Sequence, residues 1–178
     1  DQATIAENAG VAKFMATLSN ASTQAVAVDL DFTGTANLTD DYTRTGTQIV
    51  IAAGSLSGFV TVTAVPDTVF EGDETIVVDI TGVANGTESG TQTATATIRD
   101  DDGAPTVTLA VDQATIAENA GVAKFTATLS NASTQAVTVD LGFTGTATLP
   151  ADYTRTGTQI VIAAGSLSGF VTVTAVQD

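Results

Sequence analysis

The sequence contains no cysteine and no histidine. Their absence removes disulfides, thiolate nucleophiles, Ser-His-Asp triads and the usual zinc sites together. Bases are scarce: 5 Lys and Arg stand against 20 Asp and Glu, a net charge of −15. Phosphate binding needs clustered Lys and Arg, so nucleic acid is excluded as a partner, and an anionic membrane surface is disfavoured for the same reason. Aromatics make up 5% of the chain, so Ala, Val and Thr must do much of the core filling. No apolar run approaches the roughly 20 residues of a membrane span, so direct membrane insertion is not expected. No secretory leader is present, and a targeting signal is expected outside this stretch.

What the sequence does contain is itself, almost twice. Asp1-Gln2-Ala3-Thr4-Ile5-Ala6-Glu7-Asn8-Ala9-Gly10 recurs as Asp112 to Gly121, an offset of 111 residues, and the match runs on to Asp67 against Asp178. The copies differ at Met15/Thr126, Ala27/Thr138, Asp31/Gly142, Asn37/Thr148, Thr39/Pro150, Asp40/Ala151 and Pro66/Gln177. A period this long indicates tandem domains rather than a short-repeat solenoid.

Apolar residues alternate with polar ones nearly throughout, the period of half-buried strands. Ala12, Phe14, Ala16 and Leu18 share one face, as do Val26, Val28, Leu30 and Phe32. The same holds for Ile49 and Ile51, for Val60, Val62 and Ala64, for Ile76, Val78 and Ile80, for Ala94, Ala96 and Ile98, and for Val107, Leu109 and Val111. None of the differences between the copies alters an inward position, as expected where a core fixes strand parity. Turns are expected at 7–10, 19–23, 33–41, 53–58 and 81–90, where Gly, Asn, Asp and Ser collect. About seven short strands per copy and no helical segment predict an all-β, two-sheet Greek-key sandwich, with an open barrel as the alternative. The expected domains are repeat 1 at residues 1–102, lacking its first strand, a linker at 103–105, and repeat 2 at residues 106–178, lacking its last two. The inward face of repeat 2 is then expected to stand open, to be completed by further repeats or by strand addition from another chain.

Acidic residues gather at two places. Asp67, Glu71, Asp73 and Glu74 lie in one turn, and Asp100-Asp101-Asp102 closes the next pair of strands. Like charges ~4 Å apart repel by about 4 kcal/mol at an effective dielectric of 20, so a fold that gathers them needs a cation or must keep them apart in water. Ca²⁺ takes six to eight oxygens in flexible geometry, which acidic loops interspersed with Gly and Thr can supply. Neither an EF-hand loop nor a glycine-rich nonapeptide is present. Solvated turn acids that keep a β-protein soluble are the competing explanation.

Four ordered motifs give the chain a family resemblance. Ile5-Ala6-Glu7-Asn8-Ala9-Gly10, Gly34-Thr35-Ala36 leading to Asp41-Tyr42-Thr43, Asp67 to Glu74, and Thr97-Ile98-Arg99-Asp100-Asp101-Asp102 together closely resemble a Calx-beta domain. The resemblance implies an immunoglobulin-like sandwich that binds Ca²⁺ in the loops at one end. Matched position by position, it implies metal ligands at Glu7, Asp41, Asp67, Glu71, Glu74, Asp100, Asp101 and Asp102. In the second copy it implies Glu118, Asp152 and Asp178. Pro66 and Thr68 flank Asp67 where the most acidic members carry further aspartates, which favours fewer and weaker ions.

Asp100 to Asp102 run directly into Gly103-Ala104-Pro105. A cation there would touch the end of one domain and the start of the next. The expected protein is a spacer of an extracellular bacterial adhesin, fibre or matrix protein, with Ca²⁺ stiffening its joints. Its expected partners are neighbouring copies of the repeat and other chains in a fibre. A calcium-sensing regulatory module and a surface filament joined by strand exchange are the alternatives. Repetition of a whole domain argues against a unique active site, so no enzyme is expected. Phe59 and Phe170 have outward parity and are expected to cover a sheet edge or an inter-chain contact.

Overall fold

The computed structural model describes residues 3–177, and every regular element in it is a β-strand. Packing divides the chain into two compact units: Asp1–Asp67 with Gly72–Asp101, and Thr68–Glu71 with Asp102–Asp178. This division departs from the period of the sequence at Thr68–Glu71, a tetrapeptide of the first copy that belongs to unit 2.

Unit 1 holds β1 (Thr4–Ala6), β2 (Val11–Thr17), β3 (Val26–Gly34), β4 (Tyr42–Arg44), β5 (Gln48–Ile51), β6 (Ser57–Ala64), β7 (Glu74–Ala84) and β8 (Thr93–Arg99). They form two sheets, β1-β8-β7-β3-β5 and β2-β6-β4. Alternation in each strand sends one row of side chains between the sheets. Phe14, Val60 and Val62 from one sheet meet Val26, Val28, Ile49, Ile51, Ile76, Val78 and Ile98 from the other. Phe14 and Phe32 pack edge to face at 6.2 Å, and the Arg44 guanidinium lies 4.4 Å from the Phe32 ring centre. The outward parity of Phe59 is realised: it is 56% exposed, with Lys13 Nζ 4.8 Å from its ring centre.

Two elements have no periodic signature. β1 and β4 are three residues each, too short to alternate. β1 joins β8 in parallel, Ile5 opposite Ile98. β7 also runs further than the composition of 81–90 suggests. Its pairing with β3 shifts between Asp29 and Leu30, so Asp29 faces Gly82 while Leu30 faces Ile80. The extra residue, Thr81, is a bulge. It resets the parity, so Val83 packs towards the core although Ile80 also does.

Unit 2 holds β9 (Val107–Val111), β10 (Val122–Leu129), β11 (Val137–Asp140), β12 (Tyr153–Arg155), β13 (Gln159–Ile162) and β14 (Ser168–Ala175). Its sheets are β12-β14-β10-β9 and β11-β13. Phe70 bridges Ser133 in this unit: its N–H donates to the Ala132 carbonyl at 2.9 Å, and its carbonyl accepts from Thr134 N–H at 3.1 Å. Ser133 is buried as a result, whereas its counterpart Ser22 is half-buried.

The two copies show what neighbouring strands do to one sequence. Leu30–Gly34 is strand because β7 pairs with it; Leu141–Gly145 is not, since no counterpart of β7 lies beside it among the described residues. Val28 and Leu30 are buried, but Val139 and Leu141 are half-buried. Inward parity alone therefore does not secure burial. Ala94 in unit 1, and Val107, Leu109 and Val111 in unit 2, have core-facing parity and are exposed.

Gly34 offers a clean test of this difference. Its φ is +124°, and a Cβ there would meet the Thr75 carbonyl oxygen of β7 at 2.1 Å. Gly145 has φ +133° but nothing within 4 Å of such a Cβ. Gly34→Ala should therefore destabilise unit 1 by about 3 kcal/mol or more, from strain and overpacking together. Gly145→Ala should carry only the backbone cost, ~1–2 kcal/mol. Chemical denaturation of the two variants checks the difference.

Candidate metal centre

At one end of unit 1, the end of β1, the start of β4, the end of β6, the start of β7 and the end of β8 come together. Glu7 follows β1 and is the hub. Its N–H donates to the Arg99 carbonyl at 3.0 Å, which continues the β1–β8 ladder by one residue. The turn Glu7–Gly10 then folds back sharply. Ala9 has φ +57°, and Gly10 N–H donates to the Ala6 carbonyl at 2.9 Å. A Cβ on Gly10 would sit 2.3 Å from that carbonyl oxygen, so only glycine closes the turn.

This fold-back leaves Glu7 6% exposed, with its carboxylate against the loop after β6. Its Oε1 accepts from Asp67 N–H at 3.2 Å. Burial pushes its pKa up; hydrogen bonds from the Asp67 and Asp101 N–H groups oppose that, and the charges of Asp67 and Asp100 add to it. A carboxylate that is buried yet held by two backbone donors is kept in place while its charge is poorly compensated. Glu7 and Asp67 each offer a carboxylate oxygen within 4.8 Å of the other.

Asp41 forms a second pair. It is buried, and its Oδ2 accepts from Asn37 N–H, which ties the loop before β4. Its backbone is fixed too: Val65 N–H donates to the Asp41 carbonyl at 2.9 Å. Asp41 and Glu74, the first residue of β7, offer carboxylate oxygens within 4.8 Å of one another. Asp100 does something different. Its Oδ2 accepts from Gly72 N–H at 2.6 Å and so orders the turn that leads to Glu74. Asp101 contributes its N–H to Glu7, and its side chain is exposed.

The remaining expected ligands are placed as follows. Glu71 and Asp102, both half-buried, belong to unit 2; they are the chain neighbours of Gly72 and Asp101. Glu118 is exposed, unlike its counterpart Glu7. Asp152 is half-buried, and the Thr148 N–H and hydroxyl donate to its Oδ2 at 2.6 and 2.9 Å, which holds its pKa below the usual carboxylate range. Asp178 lies outside the described residues. The backbone donors to Glu7, and the Asp100 bond to Gly72, were not legible from the sequence, because they depend on how three loops meet.

The donor set fits a hard cation. Two oxygens on one Ca²⁺, each at 2.3–2.6 Å, are at most roughly 5 Å apart, and both carboxylate pairs meet that limit. There is no nitrogen or sulfur donor in either pair, which disfavours zinc and copper.

An acidic, oxygen-only centre in the end loops of a two-sheet sandwich defines a class of cation-binding β-domains. The Calx-beta domain profile matches residues 1–102 and again 100–178, and the chain belongs to the Calx-beta family. Calx-beta domains bind Ca²⁺, and the paired carboxylates of unit 1 suit that ion. Among solved structures, CBD12 from CALX1.2 superposes with a TM-score of 0.51 at 18% identity, covering 99% of this chain and 73% of that one. The calcium binding domain CBD12 of CALX1.1 gives 0.49 at 20% identity, covering 99% and 74%. At these identities the likeness is one of fold. No curated protein matches the chain.

Proposed function

We propose that this chain is a structural spacer from an extracellular bacterial surface protein, and that Ca²⁺ held at the loop ends stiffens the joint from one repeat to the next. The observation that carries the reading is Glu7. It is buried among acidic loops, and it is fixed by the N–H groups of Asp67 and Asp101, at the point where the chain leaves unit 1. A cation on Glu7 and Asp67 compensates the charge that burial penalises. Asp102 is one peptide on from Asp101, and Glu71 one peptide before Gly72, so both are further ligand candidates through chain connectivity. Asp102 leads directly into Gly103-Ala104-Pro105, so a cation that engages it would restrict the start of that linker. The near-identity of the copies supports a role in which equivalent units are multiplied, since a sensing module would gain from two sites of different affinity.

Small-angle scattering with Ca²⁺ and with chelator tests the joint. Calcium should lengthen the molecule and narrow its distribution of dimensions; identical profiles would rule stiffening out. Glu7→Gln tests the centre itself. Gln keeps an oxygen for Asp67 N–H but carries no charge. Without metal, the variant loses the charge that burial penalises but also an acceptor for one of the two backbone donors, so its melting point should stay close to that of the parent. Its Ca²⁺ affinity should fall about tenfold or more, as measured by titration calorimetry.

A further inference from the structure

Of the asparagines in the chain, one precedes glycine: Asn85, before Gly86. Asn8, Asn20, Asn119 and Asn131 precede alanine, and Asn37 precedes leucine. Asn85 stands directly after β7, is exposed, and has φ +59°. Its Nδ2 donates at 2.9 Å to the carbonyl of Ala25, the residue before β3. That bond lies just beyond Ala27 and Ala84, where the β3–β7 ladder ends. Gly86 is seated against the core: a Cβ there would lie 3.3 Å from methyl groups of Val26 and Val83, and Val26 is buried. One side-chain hydrogen bond and one glycine thus close this end of the β3–β7 pair.

The same two residues carry a chemical weakness. The backbone nitrogen that follows an asparagine can attack its side-chain amide carbon, and glycine, with no Cβ, obstructs that approach least. We propose that Asn85-Gly86 is a self-modification site, at which deamidation unlatches the end of β7 from β3. The Gly86 nitrogen gives up its proton and bonds to Asn85 Cγ. The Cγ–Nδ2 bond breaks, and ammonia leaves with that proton. Water then opens the cyclic imide at one of its two carbonyls. Opening at Cγ gives aspartate; opening at the main-chain carbonyl gives isoaspartate, whose backbone runs through Cγ. The balance is one water gained and one ammonia lost, with nothing oxidised or reduced. Either product loses the donor to Ala25 and sets a carboxylate against that carbonyl oxygen, in a chain of net charge −15. Isoaspartate also lengthens the turn by a methylene and shifts Gly86 from its seat. The closed turn holds Nδ2 on Ala25, so reaction proceeds from the opened turn and its rate follows local opening. Every group involved lies on β3, on β7 or in the segments that flank them, and none is a candidate metal ligand.

The test incubates the 178-residue chain at neutral and mildly alkaline pH, followed by intact mass and peptide mapping. The mass should rise by about 1 Da as an amide becomes an acid. The change should map to Asn85, as aspartate and isoaspartate together, before any other asparagine converts. Attack needs the Gly86 nitrogen without its proton, so the rate should climb with pH. Denaturant should accelerate conversion by about tenfold or more, because it opens the turn. Gly86→Ala should slow conversion by about tenfold or more. That loss should persist in denaturant, so it stands even if the variant folds poorly. Asn85→Asp stands for one product, and amide exchange at Val83 and Ala84 should quicken in it by about tenfold or more. An Asn85 that stays intact in the folded chain, another asparagine converting first, or a rate indifferent to Gly86→Ala would each overturn the proposal. A rate that denaturant leaves unchanged, or unaltered exchange in Asn85→Asp, would overturn the latch.

Discussion

Saturating Ca²⁺ should raise the melting transition of unit 1 by roughly 10–20 °C over its value in chelator, and that of unit 2 by much less. A ligand at 100 times its dissociation constant adds about 2.7 kcal/mol to the folded state, and 1 kcal/mol moves a domain of this size by about 4–8 °C. Unit 1 receives the effect because it holds both carboxylate pairs, Glu7 with Asp67 and Asp41 with Glu74. In unit 2, Glu118 is exposed and Asp152 already accepts from the Thr148 N–H and hydroxyl. The sign with pH follows from Glu7. Its pKa is raised in the folded protein, so its contribution to metal-free stability is present at acid pH and is lost as pH rises through the raised value. Calcium opposes that loss. The calcium shift should therefore shrink on acidification, starting at a higher pH than an ordinary glutamate would give. Scanning calorimetry at several pH values, with Ca²⁺ and with chelator, reads both effects. A shift shared equally by the two transitions would contradict the assignment of the site to unit 1.

How far the sequence discloses this molecule depends on what each feature requires. Strands such as β2, β3 and β6 announce themselves because half-burial imposes alternation over seven or more residues. The acids of the centre are legible as residue types in ordered motifs. What joins them is not. The Glu7 bond to Asp67 spans 60 residues, and the bond from Gly72 to Asp100 spans 28. Neither is encoded in local pattern. Thr81 shows a second kind of limit. A single bulged residue inverts parity, so a strict period of two loses the last turn of β7. Leu109 shows a third: parity assigns it a face, but whether another sheet covers that face is a property of the partner strands present.

The same limit yields the sharpest mutational contrast, Ile5→Ala against Ile116→Ala. The two isoleucines stand in identical ten-residue stretches, and their local turns agree closely. Ala9 and Ala120 have φ +57° and +56°, and Gly10 and Gly121 each donate to the carbonyl four residues back at 2.9 Å. Secondary propensity, turn chemistry and sequence are therefore constant between them. The tertiary setting differs. Ile5 lies on β1 beside Ile98 and is 2% exposed; Ile116 has no such strand beside it among the described residues and is half-buried. Truncating a buried isoleucine removes transfer energy and leaves a cavity, so Ile5→Ala should cost unit 1 about 3 kcal/mol. Half-burial halves the transfer part and leaves no sealed cavity, so Ile116→Ala should cost about 1 kcal/mol or less. Denaturant midpoints of the two transitions measure this directly. Because only the neighbouring strands separate the two sites, the difference isolates what β8 contributes through Ile5. Equal costs would mean that unit 2 acquires an equivalent covering strand in solution, and raising the protein concentration would then deepen the cost at Ile116 while leaving that at Ile5 unchanged.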